Sequence, residues 1–199
     1  MDIFVATNNS HKVRELAALM SGCTLHLASE LGLAFECDET GLTFRENALQ
    51  KARALEKTIG SSYYILADDS GLLVDSLPGQ LGIHTARYGN TKDKILTSAE
   101  RNAYLLHNLE GIKDRTAHFV CYLVLYKDGK IVCESYETAD GYITQQPSGM
   151  AGFGYDPVFF CNEAGCVMAE LPEEEKNRFS HRGKAVRSLL NAMKTLALT

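Results

Sequence analysis

Ile3-Phe4-Val5-Ala6, Thr7-Asn8-Asn9-Ser10, the amphipathic residues 11–20 and then Thr24-Leu25-His26-Leu27-Ala28 form the stretch whose reading decides the fold class. Four apolar residues in a row, too few for a helix, read as a buried strand. A polar loop follows. Over residues 11–20, Val13, Leu16, Ala17, Leu19 and Met20 recur at helical spacing and make one apolar face, and Asn9 or Ser10 stands where a helix takes its N-terminal cap. Gly22 ends that helix and residues 24–28 read as a second strand. Strand, helix and strand in immediate succession predict an α/β fold.

The rest of the chain extends the pattern. Thr43 and Glu46 are spaced as a capping box and open a helix over residues 44–57. Residues 63–67 form an apolar strand that runs into Asp68-Asp69-Ser70-Gly71. Residues 75–91, rich in glycine and polar groups, read as a long functional loop. Residues 92–109 read as a helix with Ile95, Leu96, Ala99, Ala103, Leu106 and Leu109 on one side. Segments 117–126 and 130–136 flank Lys127-Asp128-Gly129, a hairpin signal. A glycine-rich turn over 149–156 precedes an extended segment at 157–161. An acidic helical turn over 170–176 places Pro172 at its first helical position, and 183–198 is the final helix. With no repeat, linker or low-complexity tract, residues 1–199 are expected to form a single domain, folded as two lobes around a cleft.

Composition narrows the function. Apolar residues make up 45% and charged residues 23% of 199, the balance of an ordinary globular domain. A chain this long buries roughly 70% of the surface its unfolded form exposes. The net charge of −5 lacks the basic face of a general nucleic-acid or anionic-membrane binder. It leaves room for a small anionic substrate held by a local group of Lys and Arg. No apolar run reaches the ~18 residues of a membrane span, and the first residues enter a strand without a basic leader. The expectation is a cytoplasmic protein with neither nucleic-acid nor membrane partners. Six cysteines (23, 37, 121, 133, 161, 166) show no CxxC pair and no zinc spacing, so they are expected to be reduced, small and buried.

Several short stretches carry chemistry. Thr7-Asn8-Asn9-Ser10-His11-Lys12 is a loop between a strand and a helix N-terminus, where backbone N–H groups and the helix dipole favour an anion. It lacks the glycines of a Walker loop. Lys12 in the first helical turn opposes that dipole unless an anion is bound. In Asp68-Asp69 two carboxylates repel each other, a cost that makes sense beside a hard cation, and oxygen-only ligands suit Mg²⁺ or, as a substitute, Mn²⁺. Successive strand residues point to opposite faces, so the two acids need not do the same work. Glu39, ahead of Thr40-Gly41, can reach back to the same ion. Asn47 and Lys51, four apart, share one helix face. Downstream, Phe153-Gly154-Tyr155-Asp156 puts rings, backbone and a carboxylate in one flexed turn suited to reading a base. Ser180-His181-Arg182-Gly183 opens the last helix, with Arg182 offering a planar donor fork and Lys176 four residues before Ser180. A serine triad on Ser70 has no surrounding nucleophile elbow.

Taken in order, these motifs resemble the inosine triphosphate pyrophosphatase family. The likeness rests on Thr7, Asn9 and Lys12; on Glu39-Thr40-Gly41-Leu42-Thr43-Phe44 with Glu46-Asn47-Ala48; on Ala67-Asp68-Asp69-Ser70-Gly71-Leu72; on Gly82-Ile83 with Ala86-Arg87-Tyr88; on the 152–157 turn; and on Ser180-His181-Arg182-Gly183. The resemblance implies a mixed α/β fold with a long central sheet, a homodimer, and Mg²⁺-dependent hydrolysis of ITP, dITP and XTP to the monophosphate and pyrophosphate. It implies that Glu39 and Asp69 hold the metal. Asp69 also takes the proton of the attacking water, with Asp68 and Lys12 in support. Thr7, Asn8, Asn9, Ser10, His11, Lys12 and Lys51 then hold phosphates. Ser70, Phe153, Gly154, Tyr155, Asp156, Lys176, His181 and Arg182 hold the nucleotide and its base. The chain departs from the pattern at Asn8, where glycine is common, and at Ala151 and His84.

Overall fold

In the computed structural model, which describes residues 1–198, the opening strand, helix and strand are β1 (Asp2–Val5), α1 (Ser10–Leu19) and β2 (Thr24–His26). Asn9 is the cap of α1, its side-chain oxygen accepting from the backbone N–H groups of His11 and Lys12. The capping box of Thr43 and Glu46 opens α2 (Phe44–Ile59), which leads to β3 (Tyr64–Val74). Both β2 and β3 lie parallel to β1, as helical crossovers require.

After β3 come α3 (Ser98–Asn108), β4 (Thr116–Lys127) and β5 (Lys130–Ile143). Asp128 and Gly129 join the last two strands with φ of 50° and 73°, the left-handed pair a tight hairpin needs. Then follow β6 (Phe159–Cys161), β7 (Cys166–Val167), α4 (Glu173–Phe179) and α5 (His181–Thr195). The strands form one sheet in the order β2-β1-β3-β4-β5-β6-β7. Its β5-β6-β7 part is antiparallel, which makes the sheet mixed. All six cysteines are free thiols. Cys121 and Cys161 are buried, while the other four are only partly so.

Several boundaries differ from the sequence reading, among them β5, which runs on to Ile143, and α5, which begins at His181. Asp68-Asp69 does not close a strand: β3 continues to Val74, because Leu72 and Val74 return to the core and cations on both faces neutralise the two acids. The third helix begins at Ser98 rather than 92. Thr97 and Glu100 form its capping box, and Ile95, which fits the helical phase, is 80% exposed outside it. Within 75–91 a short helical turn, Gly82–Arg87, interrupts the loop. Pro172 is the cap residue before α4 rather than its first residue.

The chain divides into two compact units, Met1–Asp69 with Cys121–Glu137 and Arg182–Thr199, and Ser70–Val120 with Thr138–His181. In the first unit strand alternation sorts two cores. Ile3, Val5, Leu66, Cys121, Leu123 and Leu125 pack with Leu16 and Met20 of the α1 region and Ala185, Val186 and Leu189 of α5. Their neighbours Phe4, Ala6, Ile65, Ala67, Tyr122 and Val124 pack with Ala48, Leu49, Ala52 and Leu55 of α2. In the second unit, Leu72, Val74, Leu105, Leu109, Phe119, Ile143 and Phe159 share one cluster.

Candidate active site

On β3, Leu66 faces α1 and α5 while Ile65 and Ala67 face α2. The period of two therefore assigns Asp68 to the α1/α5 face and Asp69 to the α2 face. The contacts agree. Asp68 is 1% exposed. Lys12 Nζ of α1 lies 2.5 Å from its Oδ1, and Arg182 Nε of α5 donates to its Oδ2 at 2.8 Å. The thiol of Cys121 also reaches Oδ2, at 3.5 Å. Burial alone works to raise the Asp68 carboxyl. The charges of Arg182 and Lys12 outweigh it and hold the group well below the usual carboxylate range. Arg182, 2% exposed, also ion-pairs through Nη1 with Glu15 of α1.

Asp69 has a different shell. Lys51 Nζ of α2 donates to its Oδ1 at 2.7 Å and to the Asp68 carbonyl at 2.8 Å. Asn47, one helical turn earlier, donates to Oδ2 at 3.2 Å. Here burial prevails over the pull of Lys51, with Glu39 adding to it, and the carboxyl is raised. Lys51 Nζ is also 3.3 Å from Glu39 Oε1. Burial works to lower the Lys51 ammonium, but Asp69 and Glu39 raise it, which keeps it charged.

The segment bearing Glu39 is tied to α2 by backbone donors. Gly41 N–H donates to Asn47 Oδ1 at 2.8 Å, and Thr40 N–H to Gln50 Oε1 at 3.0 Å. A side chain at Gly41 would have its Cβ 2.6 Å from Asn47 Oδ1, so only glycine permits this approach. Among the described residues no group of three or more His, Cys, Asp or Glu is arranged to hold a metal unaided. Glu39 and Asp69, converging on one ammonium, give two carboxylates. That donor set fits Mg²⁺, which binds through one or two carboxylates with substrate phosphates and water completing the octahedron. It suits neither zinc nor a calcium cage.

The loop over residues 7–12 is exposed around Asn8, Asn9, Ser10 and His11. Thr7 Oγ1 accepts from Asn9 N–H at 3.1 Å. The Asn8 side chain donates to the Phe35 carbonyl at 2.8 Å, a partner the sequence reading did not foresee for an expected phosphate ligand.

Ser70 follows Asp69 on β3 and begins the second unit, which also carries the expected base-binding residues other than Arg182. Phe153 N–H donates to Asp156 Oδ2 at 2.7 Å, and Lys176 Nζ ion-pairs with the same oxygen at 2.6 Å. That ammonium also lies 4.7 Å from the centre of the Phe153 ring, within cation–π range. Gly152, at φ 76°, leaves no room for a Cβ beside the Asp156 carboxylate. Asn102 donates to the Gly154 carbonyl at 3.0 Å. Tyr155 belongs to the core: it is 4% exposed and its hydroxyl donates to the Thr85 carbonyl. His181 is buried with its ring stacked on Phe119 at 4.8 Å. Sequence reasoning missed Glu15, Cys121 and Asn102. Of these only Glu15 left a signal, an acid within an apolar helix three residues after Lys12.

The mixed α/β sheet thus carries two acids on opposite faces of one strand, each met by a lysine. The chain belongs to the Ham1 family, whose model matches residues 3–192. It is 43% identical to the dITP/XTP pyrophosphatase of Treponema denticola, covering 98% of this chain and 99% of that protein. It is 46% identical to the dITP/XTP pyrophosphatase of Thermus thermophilus, covering 98% and 92%. Among solved structures, a HAM1 protein from Coxiella burnetii superposes with a TM-score of 0.86 at 34% identity over 98% of this chain and 99% of that one. The dITP/XTP pyrophosphatase of Mycobacterium abscessus gives 0.70 at 36% identity, over 95% and 97%.

Proposed function

We propose that this protein hydrolyses non-canonical purine nucleoside triphosphates, namely ITP, dITP and XTP, to the monophosphate and pyrophosphate in the presence of Mg²⁺. The observation that carries the proposal is the division of labour on β3. Asp68 is paired by Lys12 and Arg182, while Asp69 faces the other side of β3, where Lys51 meets both it and Glu39. Asp69 takes the proton from the attacking water, the water oxygen bonds to the α-phosphorus, and the bond to the bridging oxygen breaks to release pyrophosphate. Lys12 and Lys51 stabilise the charge on the departing phosphates, aided by the loop over residues 7–12 at the N-terminal end of α1. Glu39 and Asp69 would hold Mg²⁺, which would supply charge neutralisation at the phosphates.

Base choice belongs to the second unit. Hypoxanthine and xanthine carry a carbonyl where adenine carries an amine. A site whose donors meet that carbonyl rejects adenine by up to roughly 10⁴-fold, because those donors are left unpaired. Backbone groups of the 153–156 turn, with Lys176 and His181 beside them, are the proposed donors. Arg182, two of whose nitrogens donate to Asp68 and Glu15, fixes the Asp68 carboxylate. A cytoplasmic homodimer completes the reading.

The test is product analysis with Mg²⁺ and ITP, dITP, XTP, ATP or GTP. Pyrophosphate from the first three and little from ATP is expected. Orthophosphate in place of pyrophosphate would make the protein a phosphatase, and no product from any substrate would leave only a nucleotide-binding role.

A further inference from the structure

Between Gly32 and α2 the chain runs without regular secondary structure, and this strap carries Glu39. At its start Leu33 N–H donates to the Ala28 carbonyl, and at its end Thr40 and Gly41 are held by Gln50 and Asn47. Midway, Phe35 packs at the edge of the α2-side core, and its carbonyl accepts from Asn8 Nδ2 at 2.8 Å. Between the strap and the loop over residues 7–12 lies a cavity of about 450 Å³, lined by Val5, Thr7 and Ser10 on one side and Leu33, Phe35 and Glu36 on the other. A strap that spans an open cavity has few packed neighbours to fix it, so its geometry rests on its tethers.

We infer that Asn8 is a positioning residue: its amide pins the strap at Phe35 and thereby sets the place of Glu39, four residues on, relative to Asp69. This rests on the proposed function and reassigns Asn8 within it, from phosphate ligand to link between the phosphate loop and the metal site. The chemistry supports the reassignment. The Asn8 amide commits an N–H to the Phe35 carbonyl, so one side chain joins the phosphate loop to the strap. The Glu39 carboxylate, held 3.3 Å from Lys51, is the group that strap motion would displace.

The experiment compares the intact protein with Asn8→Ala and Asn8→Gly, two changes at an exposed position where folding is expected to survive. Two measurements are made. The first, on substrate-free protein, is the rate of cleavage after Glu36 and Glu39 by a glutamate-specific protease, with sites identified by mass. The second is the Mg²⁺ concentration giving half-maximal pyrophosphate release at saturating dITP. Loss of one hydrogen bond is expected to change both, with faster cleavage and a Mg²⁺ requirement raised roughly three- to ten-fold, while KM for dITP at saturating Mg²⁺ stays near that of the unaltered protein. Cleavage and Mg²⁺ requirement both unchanged would overturn the inference. So would faster cleavage without a metal effect, or a raised KM alone, which is the signature of a phosphate ligand. An inactive unaltered protein would refute the proposed function, yet cleavage at wild-type rates in both variants would still overturn the tether independently.

Discussion

Asp68 and Asp69 share a peptide bond yet meet different partners, the first Lys12 and Arg182 and the second Lys51 and Asn47. The pleat of β3 makes this possible, because it delivers adjacent carboxylates to helices on opposite faces of the sheet. One acid is thereby a buried counter-ion to Lys12 and Arg182, and the other faces Lys51 and Asn47.

Asp69→Asn is expected to lower kcat by about 10²–10⁴-fold while nucleotide binding remains measurable by calorimetry. Loss of binding in step with turnover would remove Asp69 from the proton transfer.

Arg182 and Glu15 form a buried pair whose disruption leaves a lone charge inside. Arg182→Met should destabilise the fold by about 3–5 kcal/mol. The double variant Arg182→Met with Glu15→Gln should cost less than the two single changes added together, since it removes one orphaned charge. Strict additivity in denaturant unfolding would contradict that coupling.

Gly41→Ala places a methyl group against Asn47. Relief of that overlap costs about 1–3 kcal/mol, and it moves Glu39 away from Lys51. Both a lower melting temperature and a raised Mg²⁺ requirement should follow, and a variant as active and as stable as the original would show that the approach is not needed.

His26 sits between Asp2 at 2.9 Å and Glu30 at 2.8 Å. The hydrogen bonds to Asp2 and then Glu30 raise its imidazole above the ordinary 6.5. A raised folded value means that this contribution to stability is complete below 6.5 and is lost as pH climbs through the folded value. His26→Gln should therefore lower the melting temperature in mildly acidic buffer and have little effect in alkaline buffer. An imidazole NMR titration with a midpoint at or below 6.5 would contradict the assignment.

Much of this was legible because it is local. Asn9 and Thr43 announce their helices through side chains that bond within one turn, and Lys127-Asp128-Gly129 announces its hairpin through left-handed backbone. The alternate faces of Asp68 and Asp69 follow from strand periodicity alone. What the sequence hides is long-range pairing. Asp68-Asp69 reads as the end of a strand because charges do not belong inside one, and only Lys12, Lys51 and Arg182, distant in sequence, make the continuation to Val74 tolerable. Tyr155 looks like a base-stacking ring beside Phe153, but its hydroxyl finds Thr85 and its ring enters the core. Ile95 and Leu96 match a helical phase that the Thr97 cap excludes.

The first compact unit is assembled from three separate stretches of chain and the second from two. No single cut releases either as an uninterrupted polypeptide. Neither half can be lost, duplicated or exchanged by joining gene fragments end to end, as tandem domains can, so the 153–156 turn and the acidic strand are inherited as one indivisible piece.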